Sequence, residues 1–296
     1  MRIAIIGSTG QVGTDLVSAS RAAGCDVVEI THADCDVTDP SQVSRALREI
    51  GPGDAVVNTA AFHRTDECEE KPDRAMAVNA LGAYNVAASS RDRGAAVVFL
   101  SSDFVFDGSK PTAYLESDVP RPINAYGVSK LAGEMLVAHE NPSHYIARVS
   151  SVFGAAGSSG KGGNFVETML AKARRGERIE VVDDIVMAPT YAADAARLLV
   201  ALLVNRAPFG VYHLANAGEC SWRAFADAIL EAAGLAARVV AVPSSSVPTK
   251  AQRPPHSTLA SERLALVGLA ARPWTEGLAA YLSEKGHRAG AASASG

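Results

Sequence analysis

Cysteine is sparse in this chain and badly spaced for chemistry. Cys25, Cys35, Cys68 and Cys220 stand 10, 33 and 152 residues apart, so no CxxC pair exists for zinc or redox work, and reduced, structural thiols are expected. A long apolar run is missing at the start: Arg2-Ile-Ala-Ile-Ile-Gly7 is too short for a signal-peptide core or a membrane span, so a soluble cytoplasmic protein is expected. An excess of one charge is missing too. With 28 Lys plus Arg against 32 Asp plus Glu, the net charge of −4 excludes a protein that must neutralise many phosphates, and neither nucleic acid nor a membrane is an expected partner. The seven histidines form no HxxxH pair and there is no GxSxG elbow, which removes zinc hydrolysis and α/β-hydrolase chemistry. Gly157-Ser-Ser-Gly-Lys161 lacks the first glycine and the closing Ser or Thr of a phosphate-binding P-loop and reads as a mobile loop within the Gly-rich stretch 154–163.

What is present is an alternation. Apolar runs at 3–6, 27–30, 55–58 and 95–101 are separated by segments of helical period at 12–23, 41–50 and 74–91, and a further helix runs from Tyr126 to His139. Continuous apolar strands between helices imply a parallel sheet covered on both faces, so the expected fold is α/β, a Rossmann-type doubly wound parallel sheet. Beyond Arg148 helices at 164–175, 191–205 and 221–233 alternate with short strands near 179–182 and 210–214, which suggests a smaller α/β lobe. The expected division is a dinucleotide-binding domain over 1–150, a partly discontinuous substrate-binding lobe over 151–285, some segments of which return to the first domain, and a disordered tail over 286–296.

Gly7-Ser-Thr-Gly10-Gln-Val-Gly13 follows the first strand and opens the first helix. Small residues there permit a tight turn, and the helix N-terminus offers free N–H groups to a pyrophosphate; three spaced glycines also suit an ordinary βα turn. The tip of the second strand should choose between NAD and NADP. It reads Glu29-Ile-Thr31-His32, with no acid after Thr31 until Asp34, which leans towards NADP with His32 as a phosphate neighbour, although Glu29 keeps NAD open.

Tyr126-Gly-Val-Ser-Lys130 places a phenol and an ammonium four residues apart on one helix face, so that Lys130 can favour the Tyr126 phenolate and tune it as a proton carrier. The bland alternative is a surface pair. Ser101-Ser102-Asp103 closes the fourth strand at the sheet edge where such folds bind ligands, and a hydroxyl there can meet the same carbonyl oxygen. Together the glycine turn, the strand-end serine and Tyr-x-x-x-Lys point to catalysis on a carbonyl or alcohol.

These residues resemble the extended short-chain dehydrogenase/reductases, and within them the dTDP-4-dehydrorhamnose reductase family. The resemblance is carried by Gly7-Ser-Thr-Gly-Gln-Val-Gly13, Asp36-Val-Thr-Asp39, Asn58-Thr-Ala-Ala61, Val78-Asn-Ala80, Ser101-Ser-Asp-Phe-Val-Phe-Asp-Gly108 and Asn124-Ala-Tyr-Gly-Val-Ser-Lys-Leu-Ala-Gly-Glu134. It continues through Gly163-Asn-Phe165, Val181-Val-Asp-Asp184, Ala188-Pro-Thr190 and Arg253-Pro254. It implies NADPH, with NADH as the second choice, held by Gly7, Gly10, Gln11, Val12 and Gly13 at the phosphates, Thr31, His32, Asp36 and Val37 around the adenosine, and Ala61, Phe62, His63 and Asn79 along the middle. It implies Ser102, Tyr126 and Lys130 as the catalytic set, Tyr126 and Lys130 also meeting the cofactor. Ser102, Asp103, Phe104, Ser151, Asn164 and Arg253 would meet a nucleotide-sugar substrate reduced at a 4-keto group.

Two departures stand out from the family pattern. Where the relatives read Arg-Thr-Ser-Trp-Val-Tyr-Gly this chain reads Arg148-Val-Ser-Ser151-Val-Phe-Gly154, so Ser151 replaces an aromatic platform for the sugar. Thr31 stands where many relatives carry Asp. No acidic cluster marks the magnesium site that some relatives carry, and no metal is expected. A dehydratase would need an acid after Asp103, where Phe104 stands. An epimerase, or a non-catalytic dinucleotide-binding subunit like that of methionine adenosyltransferase, remains the alternative; the expected partner beyond substrate is at most a second copy of the chain.

Overall fold

The strand-length runs are rich in Val and Ile and apolar on both sides, so each side chain needs a covering helix whichever way it points. The computed structural model describes residues 1–156 and 163–287. Its first part runs β1 (Arg2–Ile6), α1 (Gln11–Ala22), β2 (Asp26–Ile30), α2 (Pro40–Ala46), β3 (Ala55–Asn58), α3 (Thr65–Glu70), α4 (Pro72–Met76), α5 (Gly82–Asp92), β4 (Ala96–Ser102), α6 (Ala125–Glu140) and β5 (His144–Val149). There follow β6 (Val152–Phe153), α7 (Phe165–Arg174), β7 (Ile179–Val182), β8 (Val186–Met187), β9 (Thr190–Tyr191), α8 (Ala192–Val204) and β10 (Gly210–His213). The chain ends with β11 (Cys220–Ser221), α9 (Trp222–Ala232), β12 (Val239–Val242), α10 (Arg263–Leu266) and α11 (Trp274–Glu284).

The main sheet has six parallel strands in the order β2-β1-β3-β4-β5-β10. Alternate residues feed two cores. Ile3, Ile5, Val57 and Val98 pack with Leu16 of α1 and Leu199 and Leu203 of α8, while Ala4, Ile6, Val56 and Val97 pack with Val43 of α2, Val86 of α5 and Val137 of α6. The strand order reverses between β1 and β3, and the crevice beyond the carboxyl ends at such a point is where open α/β sheets take their ligands.

Two expectations need correction in detail. The strand near 210–214 is not part of the lobe but the sixth strand of the main sheet, paired with β5 from Gly210↔Tyr145 to His213↔Arg148. The helix expected over 74–91 is interrupted: α4 passes into a π-helical turn, Ala77–Leu81, before α5 resumes. Such turns carry one extra residue and reorient the side chains beyond them. Asn79 lies in that turn.

The lobe is assembled from β7 paired with β12 and β8 paired with β11, covered by α7, α9 and α11. Its core draws on the chain's scarce aromatics: Phe165 stacks on Phe225 at 5.7 Å, and Phe153 meets Phe225 and Tyr281 at 5.5 and 5.4 Å. At the expected tail, Gly286 and His287 still donate backbone N–H groups to Ser283 and Leu282. Residues 288–296, like 157–162 of the Gly-rich loop, lie outside the described residues.

Candidate active site

At the first βα turn three glycines are needed for different reasons. Gly7 has φ +82°, and a Cβ there would stand 2.5 Å from Thr59 Oγ1; a Cβ on Gly13 would stand 2.0 Å from the Gly7 carbonyl oxygen. Gly10 caps α1 without any side-chain acceptor, which leaves the N–H groups of Gln11, Val12 and Gly13 at a positive dipole end. The turn is tied to the tip of β2, because Gly7 N and Ser8 N both donate to Ile30 O at 2.8 and 3.2 Å. This cradle suits a dinucleotide's pyrophosphate.

Thr31 does not stand without an acid. Its N–H and hydroxyl both donate to Asp34 Oδ2, at 2.9 and 2.7 Å, and these bonds hold the Asp34 carboxyl below its usual range. A charge that linear order puts three residues away therefore sits at the strand tip. His32 and Asp36 are exposed nearby, and Asp36 accepts from Thr38. The Val37 side chain is buried in the core, so only its backbone borders the crevice.

Ala61, Phe62 and His63 follow β3 and are half-buried. Asn79 is placed behind them. Phe62 N donates to Asn79 Oδ1 at 2.8 Å, and Asn79 Nδ2 donates to Phe62 O at 3.0 Å and Ser129 Oγ at 2.9 Å, so the buried amide is fully used in joining this loop to α6. Asn79 therefore also supports the loop that carries Ala61, Phe62 and His63.

On α6, Asn124 caps the first turn by accepting from Gly127 N at 2.8 Å. Gly127 and Gly133 let the helix lie close: Cβ atoms there would come to 2.1 Å from Phe104 O and 2.4 Å from Asn79 O. Tyr126 is half-buried, and desolvation raises the pKa of its phenol well above the usual value, opposed by the neighbouring Ser102 hydroxyl and helped by Asp103. Lys130, 1% exposed, sits one turn on with its ammonium 4.0 Å from the centroid of the Phe99 ring. Burial lowers Lys130 to about 7, opposed by Glu134. The expected depression of Tyr126 by Lys130 is absent here: Lys130 is not among the groups that shift Tyr126, and desolvation favours the neutral phenol, which can donate a proton.

Ser102 Oγ donates to Asp103 Oδ1 at 2.9 Å and accepts from Phe104 N at 3.2 Å. Asp103 is nearly inaccessible. Its other oxygen accepts from Ser150 at 2.9 Å and Ser257 at 2.6 Å, tying the ends of β4 and β5 to the 250s segment, while burial raises its pKa. The Phe104 ring meets Tyr126 edge-on at 5.9 Å. Ser151 lies beside Ser150 with φ +43°, a strained left-handed conformation for a residue with a Cβ.

Two residues expected to meet the substrate have partners within the chain. Asn164 caps α7 by accepting from Glu167 N, and its amide hydrogens go to Gly154 O at 2.9 Å and Tyr281 Oη at 3.0 Å. Arg253 pairs with Asp66 of α3 at 3.1 Å, on the segment whose Gln252 carbonyl accepts from Asn124 Nδ2 at 2.8 Å. That contact holds the guanidinium near the start of α6. Sequence reasoning missed Asp34, Ser150, Ser257, Phe99 and the buried pair of Glu134 with Arg148; only Glu134, four residues after Lys130, carried a spacing signal.

Among the described residues no group of three or more His, Cys, Asp or Glu side chains is placed to hold a metal ion. Asp15 is pushed up to about 6 by burial, then by Glu284 and Asp194, while Asp194 is already engaged by Arg272 at 2.6 Å and Arg197 at 3.0 Å. No helix among the described residues is long and apolar enough to cross a membrane.

With this geometry in view, comparison with known proteins is decisive. A family model described as the RmlD substrate binding domain matches residues 1–286. A dTDP-4-dehydrorhamnose reductase of Burkholderia thailandensis is 38% identical over 280 residues, 89% of this chain and 92% of that protein. The chain belongs to the dTDP-4-dehydrorhamnose reductase family. The spore coat polysaccharide biosynthesis protein SpsK of Bacillus subtilis is 36% identical over 284 residues, covering 96% of this chain and 98% of that one. The reductase family is matched in three dimensions too: a dTDP-4-dehydrorhamnose reductase of Bacillus anthracis, solved in complex with NADP, superposes with a TM-score of 0.90 at 36% identity, covering 96% of this chain and 99% of the other.

The buried lysine makes a direct prediction for the cofactor-free protein. Below about pH 7 folded and unfolded chains both hold the Lys130 proton, and the burial cost is fully present. Between about 7 and the ordinary value of 10.5 only the unfolded chain holds it, so folding stability rises with pH. Urea unfolding of wild type minus Lys130→Met should show this rise, at up to about 1.4 kcal/mol per pH unit. A difference that stays flat across that window contradicts the buried, depressed lysine.

Proposed function

We propose that this chain reduces the 4-keto group of dTDP-4-dehydrorhamnose to give dTDP-rhamnose, using NADPH. The observation that carries the reading is the Ser102–Tyr126–Lys130 cluster, placed at the carboxyl edge of the sheet beside an uncapped glycine turn, in a chain of this family. NADPH, when bound, supplies the hydride to C4. The rest falls to the chain. The free N–H groups at the start of α1 hold the pyrophosphate, and Ala61, Phe62 and His63 line its middle. Tyr126, kept neutral by burial, donates its proton to the carbonyl oxygen as negative charge develops there. Ser102 orients the phenol, and Lys130 takes the ribose hydroxyls and lends positive charge to the site once ligand phosphates are near.

Phe104 puts hydrocarbon where a dehydratase needs an acid, and its edge-on contact fixes the Tyr126 ring. Ser151 and Arg253 are the proposed substrate contacts of the lobe side, 151–285, with Arg253 exchanging its Asp66 partner for the substrate diphosphate. Four free thiols suit a reducing cytoplasm. At the adenosine end Thr31 leaves room for a 2′-phosphate, while the Asp34 carboxylate moderates that preference by repulsion.

Tyr126→Phe should lower kcat by about 100- to 10,000-fold while the NADPH Kd stays within about twofold. Unchanged turnover would remove Tyr126 from the reaction. Asp34→Ser should raise the NADPH-over-NADH ratio of kcat/KM by about tenfold, equivalent to about 1.4 kcal/mol; an unaltered ratio would show that the carboxylate does not face the ribose.

A further inference from the structure

Tyr126, Lys130 and Glu134 stand four residues apart and so share one face of α6. Beyond the two proposed catalytic groups, that face ends in a closed ionic clamp. Arg148 of β5 donates from Nε and Nη2 to the two oxygens of Glu134 at 2.9 and 2.7 Å, a bidentate fork, and Ser101 of β4 donates to Glu134 Oε1 at 2.5 Å. Both side chains of the pair are nearly inaccessible, at 6% and 4% exposed. Ser101 and Arg148 are themselves cross-strand neighbours, and Ser101 immediately precedes Ser102. One carboxylate thus fastens α6 to the ends of both strands that frame the site.

We propose that Glu134, clamped by Arg148 and Ser101, is a positioning residue that sets the Tyr126–Lys130 face of α6 against Ser102 and supplies the negative charge facing the Lys130 ammonium. The proposal rests on the reading of Lys130 given above. A clamp serving stability alone would not need to be charged, since well-packed apolar residues replace buried ion pairs without loss in many proteins. Here the charge has a recipient. Glu134 is the group that opposes the desolvation of Lys130.

The charges brought by other elements packed on α6 are directed elsewhere. Glu69 of α3 accepts from Ala125 N at the first turn, and Arg91 of α5 pairs with Glu140 at the last. Arg74 of α4 lies over the Phe62 ring, and Asp103 is enclosed by its three serines. Cys68 of α3 donates its thiol to Phe62 O at 3.3 Å. Arg148 reaches on to His213 of β10 at 3.4 Å; burial first of all pushes that imidazole down to about 4, so it is neutral at pH 7 and adds no charge.

The test compares wild type with Glu134→Gln and with the double variant Glu134→Gln/Arg148→Met, which leaves no orphaned buried guanidinium and keeps the proposal testable if the single variant does not fold. Lys130 is followed by NMR in the cofactor-free protein, after selective labelling and assignment with Lys130→Met, and the pH profile of kcat is measured with NADPH. Folded variants should titrate Lys130 at least half a pH unit below wild type, and the alkaline limb of kcat should move down by a similar interval. Lys130 titrating as in wild type, with kcat lowered equally at every pH, would overturn the proposal and leave a purely structural clamp. The NMR titration does not require turnover, so absence of activity in wild type would count against the proposed function and not against the clamp.

Discussion

An ammonium group 1% exposed to water is the constraint around which the site is built. Moving a lysine out of water favours its neutral form, and a protein that needs the cation there must supply compensation or wait for a ligand to do so. The chain does both in part. Phe99 of β4 offers the face of its ring, Glu134 offers a carboxylate held off from full pairing by Arg148, and the remaining deficit leaves Lys130 at about 7. In the proposed complex the anionic cofactor completes the environment. Binding and protonation are coupled, which makes Lys130 responsive to whether the crevice is filled.

Much of the scaffold serves this placement. Gly133 lets α6 press on Phe99 and on the π-helical turn, and Asn79 in that turn joins the loop after β3 to Ser129 on α6. The extra residue of the π turn turns the Asn79 amide inward, and a regular helix over 74–91 would have presented a different set of side chains. At the other end of the site, Asp103 binds hydroxyls from β4, β5 and the 250s segment, so Ser102 is held by the same knot that anchors the lobe segment carrying Arg253.

The sheet was legible from the sequence because Ile3–Ile6 and Val97–Phe99 are apolar on both faces, and the crevice was legible because glycine spacing, a strand-end serine and Tyr-x-x-x-Lys are local patterns. Other features had no local signal. A four-residue strand such as Gly210–His213 reads the same in either lobe, and only its pairing with β5 assigns it. Asn79 and Asn164 carry amides that suit a ligand as well as a backbone, and nothing in linear order announces their bonds to Phe62, Ser129, Gly154 and Tyr281. Asp34 reaches the tip of β2 by folding back on Thr31, which linear order hides. Family likeness supplied the substrate class, and at Ser151, where an aromatic platform is missing, the backbone takes a strained left-handed conformation.

The central claim is that this crevice delivers hydride from NADPH directly to C4 of a 4-keto sugar nucleotide, with Tyr126 as the proton donor. Incubating the enzyme with dTDP-4-dehydrorhamnose and NADPH carrying deuterium at the transferable position of nicotinamide C4 tests it most directly. The account predicts one deuterium at C4 of the product sugar and unlabelled NADP. Product without deuterium at C4, or NADPH left unconsumed while the sugar is bound, would contradict it.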